Sequence, residues 1–115
     1  MPPTKLGLEK KSVDGRDAVI TRLTGMLSLE TVPTFIETMR PEPAAYLILD
    51  MSGVSYLDSA GVGALVSLFV SRRKRQKKLA MAALTKQGTA VLQVAGLTKL
   101  LPIFPTVEQA LATQP

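Results

Sequence analysis

The run YLILDM from Tyr46 to Met51 is apolar at nearly every successive position, and it constrains the fold more than any other feature of the chain. A strand that does not alternate between apolar and polar residues needs cover on both faces. That is the situation of a central strand in a parallel sheet with helices packed on it. The residues that follow extend the argument. After LDSAGVG, Leu57–Gly63, the positions Val62, Leu65, Val66, Phe69 and Val70 form a helical stripe. The spacing predicts a long second helix from Ser59 that runs out in a basic cluster.

The same reading applied to the rest gives alternating elements. GLEKKSV and DAVITRL flank Asp14-Gly15, a tight-turn signal, and are expected to form an antiparallel hairpin. Val32, Phe35, Ile36 and Met39 fall at i, i+3, i+4 and i+7 and predict a first helix, with Pro33 tolerated near its start and Pro41 and Pro43 stopping it. LAMAAL reads as a further buried strand, TAVLQVAG as a short helix ended by Gly96, and IFP as a brief edge strand. Thr106 and Gln109 have the T-x-x-Q spacing of a capping box before a terminal helix carrying Val107, Ala110 and Leu111. Leu97, Leu100 and Leu101 read as core. Strands and helices in this order imply right-handed crossovers and parallel pairing of the strands near Val19, Ile48 and Met81. The loops Thr24 to Ser28, Ser52 to Asp58 and Thr85 to Gly88 then share the carboxyl end of the sheet, where open α/β sheets place their sites.

At 115 residues the expectation is one domain over residues 1–115, with residues 1–4 and 112–115 as flexible termini. The chain has no Cys and no His, which removes disulfides, thiolate chemistry, the usual zinc sets and every Ser-His or Cys-His pair. No metal and no cofactor are expected. The N-terminal stretch has no apolar signal core and no apolar run reaches about 18 residues, so the expectation is a cytoplasmic protein without a membrane segment. The net charge is +5, and it is local. Arg72, Arg73, Lys74, Arg75, Lys77 and Lys78 supply six of the 14 basic residues, leaving eight against nine acids elsewhere. Basic residues in the last turn of a helix oppose its dipole favourably, so RRKRQKK reads as a solvated helix end. No aromatic residue interrupts it, and no direct nucleic-acid contact is expected.

The segment Asp58-Ser59-Ala60-Gly61-Val62-Gly63 raises a question of cost, because each glycine in a helix costs about 1 kcal/mol against alanine. Asp58 suits the N-cap of the second helix, where its carboxylate can accept backbone N–H bonds. Asp-Ser before a helix commonly means capping and no more. Ser59, Ala60, Gly61 and Gly63 would also give a first turn with little side-chain bulk, which a partner's backbone could approach closely. Gly61-x-Gly63 is a poor phosphate loop, since the next fingerprint position is Val66 and no Gly-Lys-Ser or Gly-Lys-Thr follows.

LILDMSGVSYLDSAGVGALVSL and GLTKLLPIFPTVEQALA resemble the STAS domain of bacterial anti-sigma factor antagonists, in which a strand leads to a D-S-x-G turn and a helix. The resemblance spans nearly the whole chain and includes the Gly25-x-Leu27 turn. It implies a single α/β STAS-like domain, a mixed sheet of four to five strands with about four helices. It further implies a non-enzymatic antagonist, monomer or weak homodimer, whose unphosphorylated form binds an anti-sigma factor with serine kinase activity and frees a sigma factor. By motif position Ser59 would be the phosphorylated residue, with a phosphatase to reset it. Asp58, Ser59, Ala60, Gly61, Gly63 and Gly25 would form the partner-binding surface. TKQGTA departs from the Asn- and Pro-containing third turn common in that family, and no contact residue is carried onto it.

Two other readings compete. The same surface could bind a non-kinase partner in a signalling or lipid-transport assembly, as an accessory STAS protein. An enzyme is the third reading. Without His, Ser59 would need a lysine as base, and Lys86 is the only nearby candidate.

Overall fold

A computed structural model describes residues 5–113, and its central strand is the one that opens with YLILDM. Five strands, β1 (Leu6–Ser12), β2 (Ala18–Leu27), β3 (Tyr46–Leu57), β4 (Lys78–Ala82) and β5 (Ile103–Phe104), lie in that spatial order. β1 is antiparallel to β2, and every later pairing is parallel. The connections carry α1 (Val32–Met39), α2 (Ser59–Lys74) and α3 (Lys86–Val94), and α4 (Val107–Ala112) follows β5. Because the sheet grows one strand at a time in one direction, right-handed crossovers put α1, α2 and α3 on the same face. There Phe35, Leu65, Leu68 and Leu92 meet Leu23, Leu27, Leu47, Leu49 and Met81 in the main core. On the other face α4 lays Ala110 against Ala18, Tyr46, Ile48, Ala80 and Ala82. The small residues of β4 allow that short helix to sit close.

The mixed α/β sheet is the expected one, with several local differences. Residues 1–4 and 114–115, expected to be flexible, lie outside the described residues, while Ala112 ends α4. The hairpin is a longer connection than the Asp14-Gly15 signal predicts. β1 ends at Ser12, β2 begins at Ala18, and among its turn residues Gly15 is the one with positive φ, 74°. The first two loops expected at the sheet's carboxyl end are mostly strand. β2 and β3 continue through Thr24↔Gly53, Gly25↔Val54, Met26↔Tyr56 and Leu27↔Leu57 with two shifts of register. Gly25 and Gly53, which read as loop glycines, are paired strand residues flanking these register shifts. Gly25 has φ 110°, and a Cβ on Gly53 would come within 2.6 Å of the Leu23 carbonyl oxygen. The third helix starts at Lys86, before the expected Thr89, because Thr85 Oγ1 accepts the Gly88 N–H at 3.1 Å and caps it. The cap of α4 is as expected, with Thr106 Oγ1 accepting the Gln109 N–H at 3.1 Å.

The buried seam of α2 is Gly61, Val62, Ala64, Leu65, Leu68 and Arg72. Val70, assigned to the stripe from the sequence, is exposed, since two positions from Leu68 is about 200° around the helix. Leu101 is buried and Leu97 packs on the core, but Leu100 is exposed.

The basic cluster is not simply a solvated helix end. Arg72 is completely buried, and its guanidinium donates to three backbone carbonyls, Lys78 O at 2.9 Å, Glu42 O at 3.1 Å and Ala44 O at 2.5 Å. Arg75 donates to Arg40 O at 2.8 Å and Lys77 to Pro43 O at 2.6 Å. Half of the cluster therefore fastens the end of α2 to the α1–β3 connection. Glu42, itself buried, completes the group through Lys10 at 2.9 Å and the Ala44 N–H at 2.9 Å. Burial alone would raise the Glu42 carboxyl, but the Ala44 N–H, the Lys10 ammonium and the Arg72 charge outweigh it and hold it below the usual range. Desolvation lowers the Arg72 guanidinium from its ordinary value, against the opposing pull of Glu42. Arg72→Met keeps the stem and removes the fork, leaving three carbonyls short of a donor, two of them in buried bonds. Each unsatisfied group costs about 1–3 kcal/mol, partly offset because the buried charge is also gone. The expected loss is about 2 kcal/mol in urea unfolding; an unchanged midpoint would mean that the carbonyls find other donors.

Candidate functional site

The carboxyl ends of β2 and β3 lie side by side, and the chain leaves β3 directly into α2 through one residue, Asp58. Asp58 has extended backbone, φ −105° and ψ −177°, as an N-cap requires. Its Oδ1 accepts the Gly61 N–H at 2.8 Å and its Oδ2 accepts the Leu29 N–H at 3.0 Å. One carboxylate thus caps the helix and anchors the loop between β2 and α1, and the Asp58 N–H donates to Leu27 O at 3.3 Å to close the corner. The loop is braced from below by buried Thr31, whose hydroxyl accepts the Ser28 N–H at 3.0 Å and donates to Met26 O at 2.8 Å.

Ser59 follows as the first residue of α2, and its side chain is exposed. Ala60 is half-buried. Gly63 is exposed, and a Cβ added there would meet nothing within 4 Å. Gly61 differs. The sequence places it on the open contact patch, but it is buried, and a Cβ on it would collide with the Leu27 carbonyl oxygen and lie 2.8 Å from Leu57 Cδ1. The cost of this glycine is repaid by close packing of α2 on the strand ends, not by an open surface. Gly25 is half-buried at the adjoining register shift, where a Cβ would strike the Lys5 carbonyl oxygen, so the close backbone approach there requires a glycine.

Three apolar side chains that the sequence reading missed stand open around this corner. Leu29 is 72% exposed, Tyr56 46% and Met26 36%. Met26 and Tyr56 are paired across β2 and β3, and the next pair, Leu27 and Leu57, is fully buried. Strand alternation therefore turns Met26 and Tyr56 outward. Their signal in the sequence is faint, because single apolar residues in loops and strand ends are common on surfaces.

The third loop contributes a latch. β4 pairs with β3 only as far as Asp50↔Ala82, so the distal half of β3 loses its neighbour on that side. Gln87 fills part of the gap, its amide oxygen accepting the Leu57 N–H at 2.9 Å and its amide nitrogen donating to Leu57 O at 2.8 Å. Lys86, the only lysine considered as a base for Ser59, is exposed at the start of α3. Nearby hydroxyls are engaged: Ser52 Oγ donates to Asp50 Oδ1 at 2.7 Å, and Thr85 Oγ1 is the cap of α3. No group of three or more acidic side chains suited to a metal ion occurs among the described residues. None of their helices is long and apolar enough to cross a membrane.

This corner, a capped helix start with an exposed serine, is found on a chain with extensive relatives. A model of the STAS domain matches residues 9–110. The anti-sigma-B factor antagonist of Listeria monocytogenes is 25% identical over 96 residues, 84% of this chain and 84% of that protein. Among solved structures, an anti-sigma factor antagonist from Mycobacterium paratuberculosis is similar with a TM-score of 0.82 and 21% identity, covering 96% of this chain and 95% of that one. The anti-sigma factor antagonist SpoIIAA in its unphosphorylated form is similar with a TM-score of 0.75 and 19% identity, covering 91% and 93%. At these identities the two structures speak to the fold.

Proposed function

The chain belongs to the STAS domain family, and from that premise we propose that it is an anti-sigma factor antagonist switched by phosphorylation of Ser59. In its unphosphorylated form it binds an anti-sigma factor with serine kinase activity and so releases a sigma factor. The partner transfers the γ-phosphoryl group of ATP to Ser59 Oγ: the new O–P bond forms as the bond to the ADP leaving group breaks, and the hydroxyl proton is lost. A phosphatase resets the site. The observation that carries this reading is the exposed hydroxyl of Ser59 at the rigidly capped start of α2, flanked by the exposed side chains of Leu29, Met26 and Tyr56. A relative named an anti-sigma-B factor antagonist supports the same role.

Phosphate at this position would bring about −1.5 to −2 charges and three acceptor oxygens. An anion at the first residue of a helix is favoured by the unsatisfied N–H groups there, so the fold tolerates it. A partner docked on the neighbouring apolar surface would instead have to desolvate it. The switch thus acts on the contact and leaves the domain folded.

Incubation with the partner kinase and ATP is expected to place phosphate on Ser59, read by mass mapping of peptides. Ser52 is engaged by Asp50 and Thr85 caps α3, so neither should compete. Phosphate chiefly on Ser52, Ser55 or Thr85 would overturn the assignment of Ser59. Tight binding of a partner without kinase activity, with no labelling at all, would favour the accessory-protein reading.

A further inference from the structure

At the opposite end of the domain a pocket of about 320 Å³ opens between the end of α2 and the strands β4 and β5. Its walls include Tyr46, Phe69 and Phe104, three of the five aromatic residues in the chain, and its cationic lining is Arg73, Lys77 and Lys78. Among the described residues no carboxylate lines it. A groove along α2 lined by Arg40, Lys74 and Arg75 is also one-signed but has no aromatic wall, and other charged grooves mix signs. The open sheet face beside α4, for example, mixes Glu9, Asp50 and Glu108 with Lys11 and Arg22.

The groups are held in place. Tyr46 is buried with its hydroxyl donating to Ala110 O at 2.8 Å, and burial pushes its phenol up, keeping it neutral. The Arg73 guanidinium stands 5.6 Å from the centre of the Phe69 ring, within the range of a cation–π contact. Lys77 is fixed through Pro43 O, whereas Lys78 is an exposed residue of β4. An apolar aromatic interior with a one-signed cationic lining suits a ligand that is flat and apolar at one end and anionic at the other. A bare inorganic anion would leave the aromatic walls unused, and a neutral ring would leave the cations unanswered.

We propose that this pocket is a binding site for a small aromatic anion, a planar ring bearing a carboxylate or phosphate, with the ring among Tyr46, Phe69 and Phe104 and the anion on Arg73, Lys77 and Lys78. Fourteen residues of helix rise separate Arg73 from Ser59, about 21 Å, so the site is distinct from the switch corner and does not depend on its function.

The test is titration of the isotopically labelled protein with 2-naphthoate, followed by backbone amide NMR. Saturable shifts are expected at Tyr46, Phe69, Leu79 and Phe104, with a Kd near or below about 1 mM for a ligand of this size. 2-Naphthamide, the same ring without the charge, and inorganic phosphate should each bind at least about tenfold more weakly. The double variant Arg73→Glu, Lys78→Glu should lose at least about tenfold in naphthoate affinity while keeping a dispersed spectrum, since both side chains are exposed. Absence of saturation up to about 10 mM would overturn the site. Equal binding of the amide or of inorganic phosphate would do so as well, and both of those comparisons use the wild-type protein, so they stand even if the double variant fails to fold.

Discussion

Gly61→Leu is expected to destabilise the domain by about 4 kcal/mol or more, although leucine is the better helix former by close to 1 kcal/mol. The reason lies in the first atom added. Even a Cβ would overlap the Leu27 carbonyl oxygen and crowd Leu57 Cδ1 at 2.8 Å. That oxygen belongs to the backbone of a fully buried strand end and already accepts the Asp58 N–H, so it cannot move aside as a flexible side chain could. The N-terminus of α2 would have to lift from the strands, breaking the Asp58 corner with it. Against a typical stability of 5–15 kcal/mol this is a large share, and losses of this size come from a short list of causes that includes overpacking. Gly63→Ala is the matched control, since an added Cβ meets nothing there; it should raise stability by roughly 0.5–1 kcal/mol. Urea unfolding of the two variants decides the matter. Equal midpoints for Gly61→Leu and wild type would mean that α2 does not rest on the β2 end.

The order of strands and helices was legible because it rests on periodicity. YLILDM, the Phe35 and Met39 stripe and the Thr106 cap are local patterns whose outcome the rest of the fold does not change. The glycines were legible as special positions but not as to purpose. Gly25 and Gly53 look like loop residues because a register shift between strands and a loop demand similar backbone freedom, and pairing across two strands is not a local property. Gly61 and Gly63 are indistinguishable in the chain, yet one faces the Leu27 backbone and the other faces open space. Arg72 was hidden in a run of like charges. Which member of RRKRQKK turns inward depends on the phase of α2, set by Leu65 and Leu68, and on the carbonyls of a connection some thirty residues away. Gln87 and Leu29 carried no signal of their own, because their roles come from where β4 stops and where Asp58 reaches.

Ser59→Asp is expected to weaken the complex with the anti-sigma factor at least about a hundredfold, corresponding to about 2.7 kcal/mol. A charge forced into a contact that excludes water is costly unless the partner answers it, and mismatched charge across an interface costs several kcal/mol. The fold should be indifferent, because an acid at the first position of a helix suits its dipole and the Ser59 side chain is exposed. Ser59→Ala should bind as wild type does and escape inactivation by ATP. Gly63→Leu supplies bulk without charge at a position where the fold has room, which makes it the steric probe that Gly61 cannot be.

The most direct measurement is titration of one purified anti-sigma factor with wild type, Ser59→Asp, Ser59→Ala and Gly63→Leu, each first checked by thermal melt. If the start of α2 is the switched contact, Ser59→Asp and Gly63→Leu lose affinity with normal melting while Ser59→Ala keeps it. Normal affinity for both Ser59→Asp and Gly63→Leu would contradict the account, because neither charge nor bulk at this helix start would then reach the partner.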